Sequence, residues 1–238
     1  MKNFFLKILS LVFPITCSSC GKDLPPLSKE RICSGCRENF PKIEGLICSK
    51  CGCPLPEGGQ FCIVCRKNKK EFAFDKMRSA FLYEDKIREM ILKFKYYNRT
   101  FLSADLSEEM IKVYEKHPFF QQTDFIIAVP SNFFRRFKRG YNQALLLARA
   151  VSLKTGKPSL ENILFRKKLT KAQFKLSKKQ RAKNIDGSFY VKNKKAVEKK
   201  NILLIDDIAT TAITASTCAK TLKKAGAKKV FVLTLARD

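Results

Sequence analysis

Two acids and three threonines within nine residues carry the densest chemistry of this 238-residue chain: Asp206, Asp207, Thr210, Thr211 and Thr214. Adjacent carboxylates can accept hydrogen bonds from ribose hydroxyls. The small and hydroxyl-bearing residues from Ala209 through Ala212 and Ile213 to Thr214 open onto a helical pattern. The free N–H groups and positive dipole end of such a helix hold a phosphate. These residue types in this order suit a sugar phosphate. Paired acids also end strands as ordinary solvated carboxylates, so the pattern draws its meaning from what flanks it.

Cysteines form the second constellation. Ten are present, and eight fall in four C-x-x-C pairs: Cys17/Cys20, Cys33/Cys36, Cys48/Cys51 and Cys62/Cys65. Two such turns complete a tetrahedron of thiolates around zinc. Pairing in sequence order gives one ion to Cys17, Cys20, Cys33 and Cys36, and another to Cys48, Cys51, Cys62 and Cys65. Interleaved pairing, and a count of one or two ions, stay open at this level. A redox dithiol explains one pair but not four. Metal-type spacing rather than a disulfide framework predicts a reducing cytoplasm. Cys53 is surplus, and Cys218 reads as a small core residue.

The elements that must position these groups follow from periodicity. Ile202 to Ile205 is an unbroken apolar run, as in a strand buried on both faces of a parallel sheet, and Phe125 to Val129 is another. Lys86 to Lys95, Ala104 to Lys116 (with Ser103 as N-cap), Asn142 to Thr155 and Thr214 to Ala225 read as helices. Ala80 to Tyr83 and Val230 to Leu235 read as further strands. Strands alternating with helices predict an α/β parallel sheet. Residues 17 to about 70 are poor in helical periodicity, a metal-organised module too small to fold on burial alone. We place the seam at Arg66–Lys70, giving units 1–70 and 71–238. The first residues alternate at helical spacing from Phe4 to Val12 and lack a cleavage signature, so an amphipathic helix is expected there rather than a signal peptide. No segment is long enough to span a bilayer.

Charge narrows the partners. Forty-eight basic residues against 21 acids give a formal +27, or about +23 with two four-thiolate zinc sites. Arg166 to Lys200 alone holds 14 Lys/Arg against Asp186 and Glu198. Such a surface suits polyanions, including nucleic acid; the plain alternative is a solvated lysine-rich surface. Aromatics interleave with cations from Phe133 to Tyr141, a pattern that fits core rings beside an anion site or, with less weight, single-stranded nucleic acid. No phosphate loop of the GxxxxGK[ST] kind occurs. His117, the sole histidine, reads as a helix-end residue.

With these residues in view, Ile205–Thr214 (IDDIATTAIT) resembles the ribose-phosphate signature of type I phosphoribosyltransferases. The whole chain resembles the ComF family of competence-associated proteins, through PITCSSCG (14–21), IAVPSNFFRRFKRGYNQ (127–143) and KAQFKLSKKQRAKNIDGSF (171–189). The resemblance implies a parallel-sheet type I phosphoribosyltransferase fold with a small N-terminal zinc ribbon. It implies phosphoribosyl pyrophosphate bound with magnesium. Asp206 and Asp207 would meet the ribose, Ala209 to Thr214 the 5′-phosphate, and Ser131, Arg135 and Arg136 the pyrophosphate. Arg166 to Asn184 would form a mobile loop over the site. The implied role is DNA uptake in natural transformation, with single-stranded DNA and competence or recombination proteins as partners. The alternative is an active transferase passing ribose 5-phosphate to a nitrogenous acceptor in nucleotide metabolism. One position departs from the family turn, where Ala212 stands in place of glycine. A positive φ there would cost about 1–2 kcal/mol.

Overall fold

The computed structural model describes residues 14–67, 72–132, 137, 139–167 and 187–238. In chain order its elements are α1 (Ser34–Glu38), α2 (Ile63–Lys67), β1 (Lys76–Leu82), α3 (Asp85–Tyr96), α4 (Leu102–Lys116), a 3-10 turn (Pro118–Phe120), β2 (Phe125–Ala128), α5 (Gln143–Thr155), β3 (Leu164–Arg166), β4 (Phe189–Val191), β5 (Asn201–Ala209), α6 (Ile213–Lys224) and β6 (Lys229–Arg237). Strands β1, β6, β5 and β2 form a parallel sheet in that spatial order, and β3 and β4 form a separate antiparallel ribbon.

Two apolar cores lie on opposite faces of the sheet, as period-two alternation requires. Leu203 and Ile205 of β5 join Phe231 and Leu233 of β6 in the core beneath α3, α4 and α5. Ile202 and Leu204 join Val230 and Val232 in the core beneath α6. The four β5 residues are fully buried. Each contributes about 1.5–3 kcal/mol at most. Because α5 follows β2 on one face and α6 follows β5 on the other, a crevice opens between the carboxyl ends of these neighbouring strands. Open α/β sheets bind ligands at such a point.

The cysteine-rich segment wraps the β1 edge. Leu82 N–H donates to Pro41 O (2.8 Å), Ile43 N–H to Ala80 O (3.3 Å) and Met77 N–H to Lys50 O (2.9 Å). An otherwise open strand edge is thereby paired. Cys17 and Cys36 sink into the α3–α5 core, whereas Cys48, Cys51 and Cys65 sink into the α6 core. Gly52, at φ 69°, lies so close to β1 that an added Cβ would sit 2.7 Å from Met77 O.

The expected helices and strands are present with shifts at their ends. Strand β1 starts at Lys76 rather than Ala80, and β6 runs on to Arg237. Ser103 is not a cap: α4 starts at Leu102, and the Ser103 hydroxyl donates to Thr100 O (2.8 Å) inside the first turn. Arg166, expected in a loop, ends β3. The expected N-terminal helix (4–12), Arg135, Arg136 and the loop segment 168–184 lie outside the described residues.

Candidate functional site

The crevice is a cavity of about 320 Å³ whose wall includes Ser131, Asp206, Asp207, Thr210 and Thr214. Five residues singled out from sequence thus meet around one space. Thr211 is exposed beside it, Ile213 is half-buried, and Ala209 and Ala212 are buried beneath the turn. The Ser131 hydroxyl is buried with no hydrogen-bond partner among the described residues. A buried orphan hydroxyl is costly unless something fills the site.

The acid pair is electrostatically asymmetric. Burial, and then the Asp207 charge, pushes the Asp206 carboxyl well above the ordinary range; the Asp207 N–H and Lys95 pull the other way. The Asp207 N–H donates to Asp206 Oδ1 (2.9 Å), and the Ile208 N–H donates to Asp207 Oδ1 (2.7 Å). Lys95 Nζ lies 2.8 Å from Asp207 Oδ2.

Lys95 comes from the last turn of α3, and the Arg139–Gln143 stretch holds that turn in place. The Tyr141 hydroxyl donates to the Phe94 carbonyl. Arg139 Nη2 donates to the Tyr96 hydroxyl (2.9 Å) and stacks over its ring at 4.6 Å, while Nη1 reaches Gln143 Oε1 (3.2 Å). Asn142 Nδ2 donates to Val129 O (3.2 Å), bracing the end of β2. Sequence reasoning singled out the 139–143 motif without its job, and assigned Lys95 no site role. The missing signal is tertiary: more than 100 residues separate Lys95 from Asp207.

The turn from Ala209 to Thr214 carries strain. Ala212 adopts φ 55°, ψ 8° as the N-cap of α6. The turn therefore keeps the left-handed geometry that glycine serves, at about 1–2 kcal/mol for the methyl. The first helical bond, Ser216 N–H to Ala212 O (2.9 Å), still forms. The N–H groups of the first helical turn face no helical acceptor and remain suited to an anion.

The cysteines resolve into two sets, 17/20/33/36 and 48/51/62/65, with sulfurs within 4.8 Å of one another in each. Interleaving is excluded. Cys20 and Cys33 sulfurs stand 3.8 Å apart, and those of Cys51 and Cys62 stand 3.7 Å apart. Zinc–sulfur bonds of about 2.3 Å give a tetrahedral edge of about 3.8 Å, so the donor sets fit zinc. Burial pushes the Cys17 and Cys48 thiols up, but backbone N–H groups outweigh it and hold both down to about 6. Burial and neighbouring thiols push Cys36 up to about 12 and Cys51 to about 11. Four thiolates at this spacing need a cation to coexist.

The relatives agree with this arrangement. Residues 8–70 match the family described as a double zinc ribbon domain. Over 229 residues the chain is 31% identical to "Competence protein F" of Haemophilus influenzae, spanning 94% of this chain and 98% of the relative. This chain belongs to the competence protein F family. It is also 31% identical to "Competence protein ComFC" of Bacillus subtilis (88% and 85% of the two chains) and 26% identical to "DNA utilization protein YhgH" of Salmonella typhimurium (95% and 99%). Among solved structures it is similar to the B. subtilis glutamine phosphoribosylpyrophosphate amidotransferase complexed with ADP and GMP. That likeness has 18% identity and a TM-score of 0.42, and covers 60% of this chain and 30% of that chain. It is too distant to bear on chemistry. Within that family, this chain combines a double zinc ribbon with a parallel α/β sheet. Among the described residues no helix is long and apolar enough to cross a membrane.

Proposed function

We propose that this competence protein F relative binds phosphoribosyl pyrophosphate with magnesium in the crevice between β2 and β5, and that its basic surface contacts single-stranded DNA during cytoplasmic handling of incoming strands. The observation that carries the reading is the meeting of Asp206, Asp207, Thr210, Thr214 and Ser131 on one cavity. In this reading the acid pair takes the ribose hydroxyls, directly or through magnesium. The Ala209–Thr214 turn takes the 5′-phosphate, and Ser131 with Arg135 and Arg136 takes the pyrophosphate. Calorimetry with phosphoribosyl pyrophosphate and magnesium tests it. Binding should be saturable and lost in Asp206→Ala/Asp207→Ala; a wild-type protein without binding heat would refute the sugar-phosphate reading. Single-strand affinity should fall with salt and survive the same double substitution.

A second reading, transfer of ribose 5-phosphate to a nitrogenous acceptor, is favoured by one observation. A larger cavity of about 660 Å³ adjoins the first along Pro130, Ser131, Asn142 and Arg166, leaving room for an acceptor. Pyrophosphate release across a panel of bases separates the two readings.

A further inference from the structure

One carboxylate of the acid pair is already matched by a cation from within the chain. Lys95 Nζ stands 2.8 Å from Asp207 Oδ2, and both side chains are only 15% exposed. The contact is prepared on several sides. Phe94, beside Lys95, is fully buried, and its carbonyl accepts from Tyr141. Lys93, two residues before, donates to Ser18 O (2.7 Å) in the first cysteine knuckle. Arg139 grips Tyr96 on the other side. A surface lysine would swing freely; this one is delivered by a braced helix end to one carboxylate oxygen.

That placement conflicts with a divalent cation on the same carboxylate. Magnesium takes carboxylate oxygens at about 2.0–2.1 Å, which would set it within a few ångströms of the ammonium in a site of low effective dielectric. An anionic ligand removes the conflict, because its oxygens offer the ammonium another partner.

We propose that Lys95 is the resident counter-ion of the acid pair, excluding divalent metal from the free site and moving onto the anionic ligand when metal and ligand enter together. The inference rests on the sugar-phosphate reading for the ligand's identity, but the exclusion of metal can be measured alone. Lysine would then have two opposite effects at one position: it weakens metal binding to the free protein and strengthens binding of the pyrophosphate ester.

The experiment is Mn²⁺ binding to the free, zinc-loaded full chain, followed by electron paramagnetic resonance, in wild type, Lys95→Met and Lys95→Arg. Lys95→Met should bind Mn²⁺ about tenfold more tightly than wild type or more. It should bind phosphoribosyl pyrophosphate with magnesium about tenfold more weakly. Lys95→Arg should keep wild-type metal exclusion. A residue that only props up the fold would weaken both ligands when removed, so the opposed signs identify the exchange. Lys95→Gln repeats the test if the methionine variant does not fold. Unchanged, weaker or undetectable Mn²⁺ binding in the charge-removed variant overturns the proposal, even with sugar-phosphate binding intact. A gain in Mn²⁺ affinity with no phosphoribosyl pyrophosphate binding in wild type would instead keep the counter-ion and refute the ligand.

Discussion

The two cysteine clusters share ligand type and loop spacing, yet the molecule fastens them differently. The first is tied to the helical layer: Arg31 N–H (3.0 Å) and Arg37 Nη2 (2.8 Å) both donate to the buried Asp105 of α4, and Lys93 of α3 donates to Ser18 O. The second is tied to the strand ends by two arginines, Arg78 and Arg237, each only 7% exposed. Arg237 Nη1 donates to Cys51 O (2.7 Å), and Arg78 Nη1 reaches Cys48 O (3.4 Å). Arg237 also stands in register with Ala209, and Asp238 N–H donates to Ala209 O (3.1 Å). Among the described residues, the second cluster is thus linked through Arg237 to the strand end that feeds the Ala209–Thr214 turn, whereas the first reaches the site through α3. Equal zinc chemistry is fastened to the site by unequal routes.

The sharpest way to break this comparison is to remove one cluster at a time. Structural zinc in such modules is worth about 10–16 kcal/mol in apparent binding energy, so either loss should be severe. Cys51→Ser should drop zinc content from two to one per chain and abolish sugar-phosphate binding. Cys20→Ser, at an exposed ligand, should lower the melting temperature but leave measurable binding. Metal analysis beside calorimetry decides it; the reverse ranking would refute unequal coupling.

Arginine substitution tests the same point with both zinc ions kept. Arg237→Met leaves the buried Cys51 carbonyl without its donor and the net-negative thiolate cluster with Arg78 alone, at about 2–4 kcal/mol. Arg37→Met, which strands Asp105, should cost a similar amount. The two should part in ligand affinity, which falls for Arg237→Met and holds for Arg37→Met. Equal affinities would mean that β6 does not transmit the zinc cluster to the turn.

Ala212→Gly probes the turn itself. Relief of the left-handed alanine should stabilise the protein by about 1 kcal/mol, read as a rise in melting temperature. Tighter phosphate binding should accompany it if the methyl crowds the anion. A fall in stability would show that the turn holds its geometry without strain.

Features carried by contiguous residues were legible before any coordinates. Ile202 to Ile205 declared a buried strand and Asn142 to Gly156 a helix with its stop, because each signal is local; the strand nonetheless runs on through both acids to Ala209, because β6 continues to pair with it. The cysteine grouping needed sulfur positions, since four equivalent C-x-x-C pairs share one spacing. The β3–β4 ribbon was missed because three-residue strands have too few side chains for a period. Lys95 was invisible as part of the site for another reason: a lysine in the last turn of an amphipathic helix looks solvated until packing brings that turn beside Asp207. Arg78 and Arg237 were hidden likewise, since their role depends on the ribbon wrapping β1.

The smallest expected effect concerns acid, and it reports on Arg78, the arginine that also reaches the second cluster at Cys48 O. His117 caps α4 and stacks on Phe119 at 5.4 Å, with Arg78 over that same ring at 5.2 Å. Burial, then the charges of Arg78, Lys116 and Lys76, hold its imidazole from an ordinary 6.5 down to about 4. Below about 6.5 the unfolded chain takes up a proton that the folded chain refuses, so unfolding is favoured as pH falls towards about 4. Stability from this group is complete above that window and lost through it. Allowing for the half-exposed ring, the loss should be about 1 kcal/mol. His117→Gln should flatten that part of the curve, measured by denaturant melts from about pH 7 to pH 5, where thiolate–zinc bonds persist. Removing Arg78's charge in Arg78→Met should shrink the slope. Parallel wild-type and His117→Gln curves would place the acid response elsewhere and cut its link to Arg78.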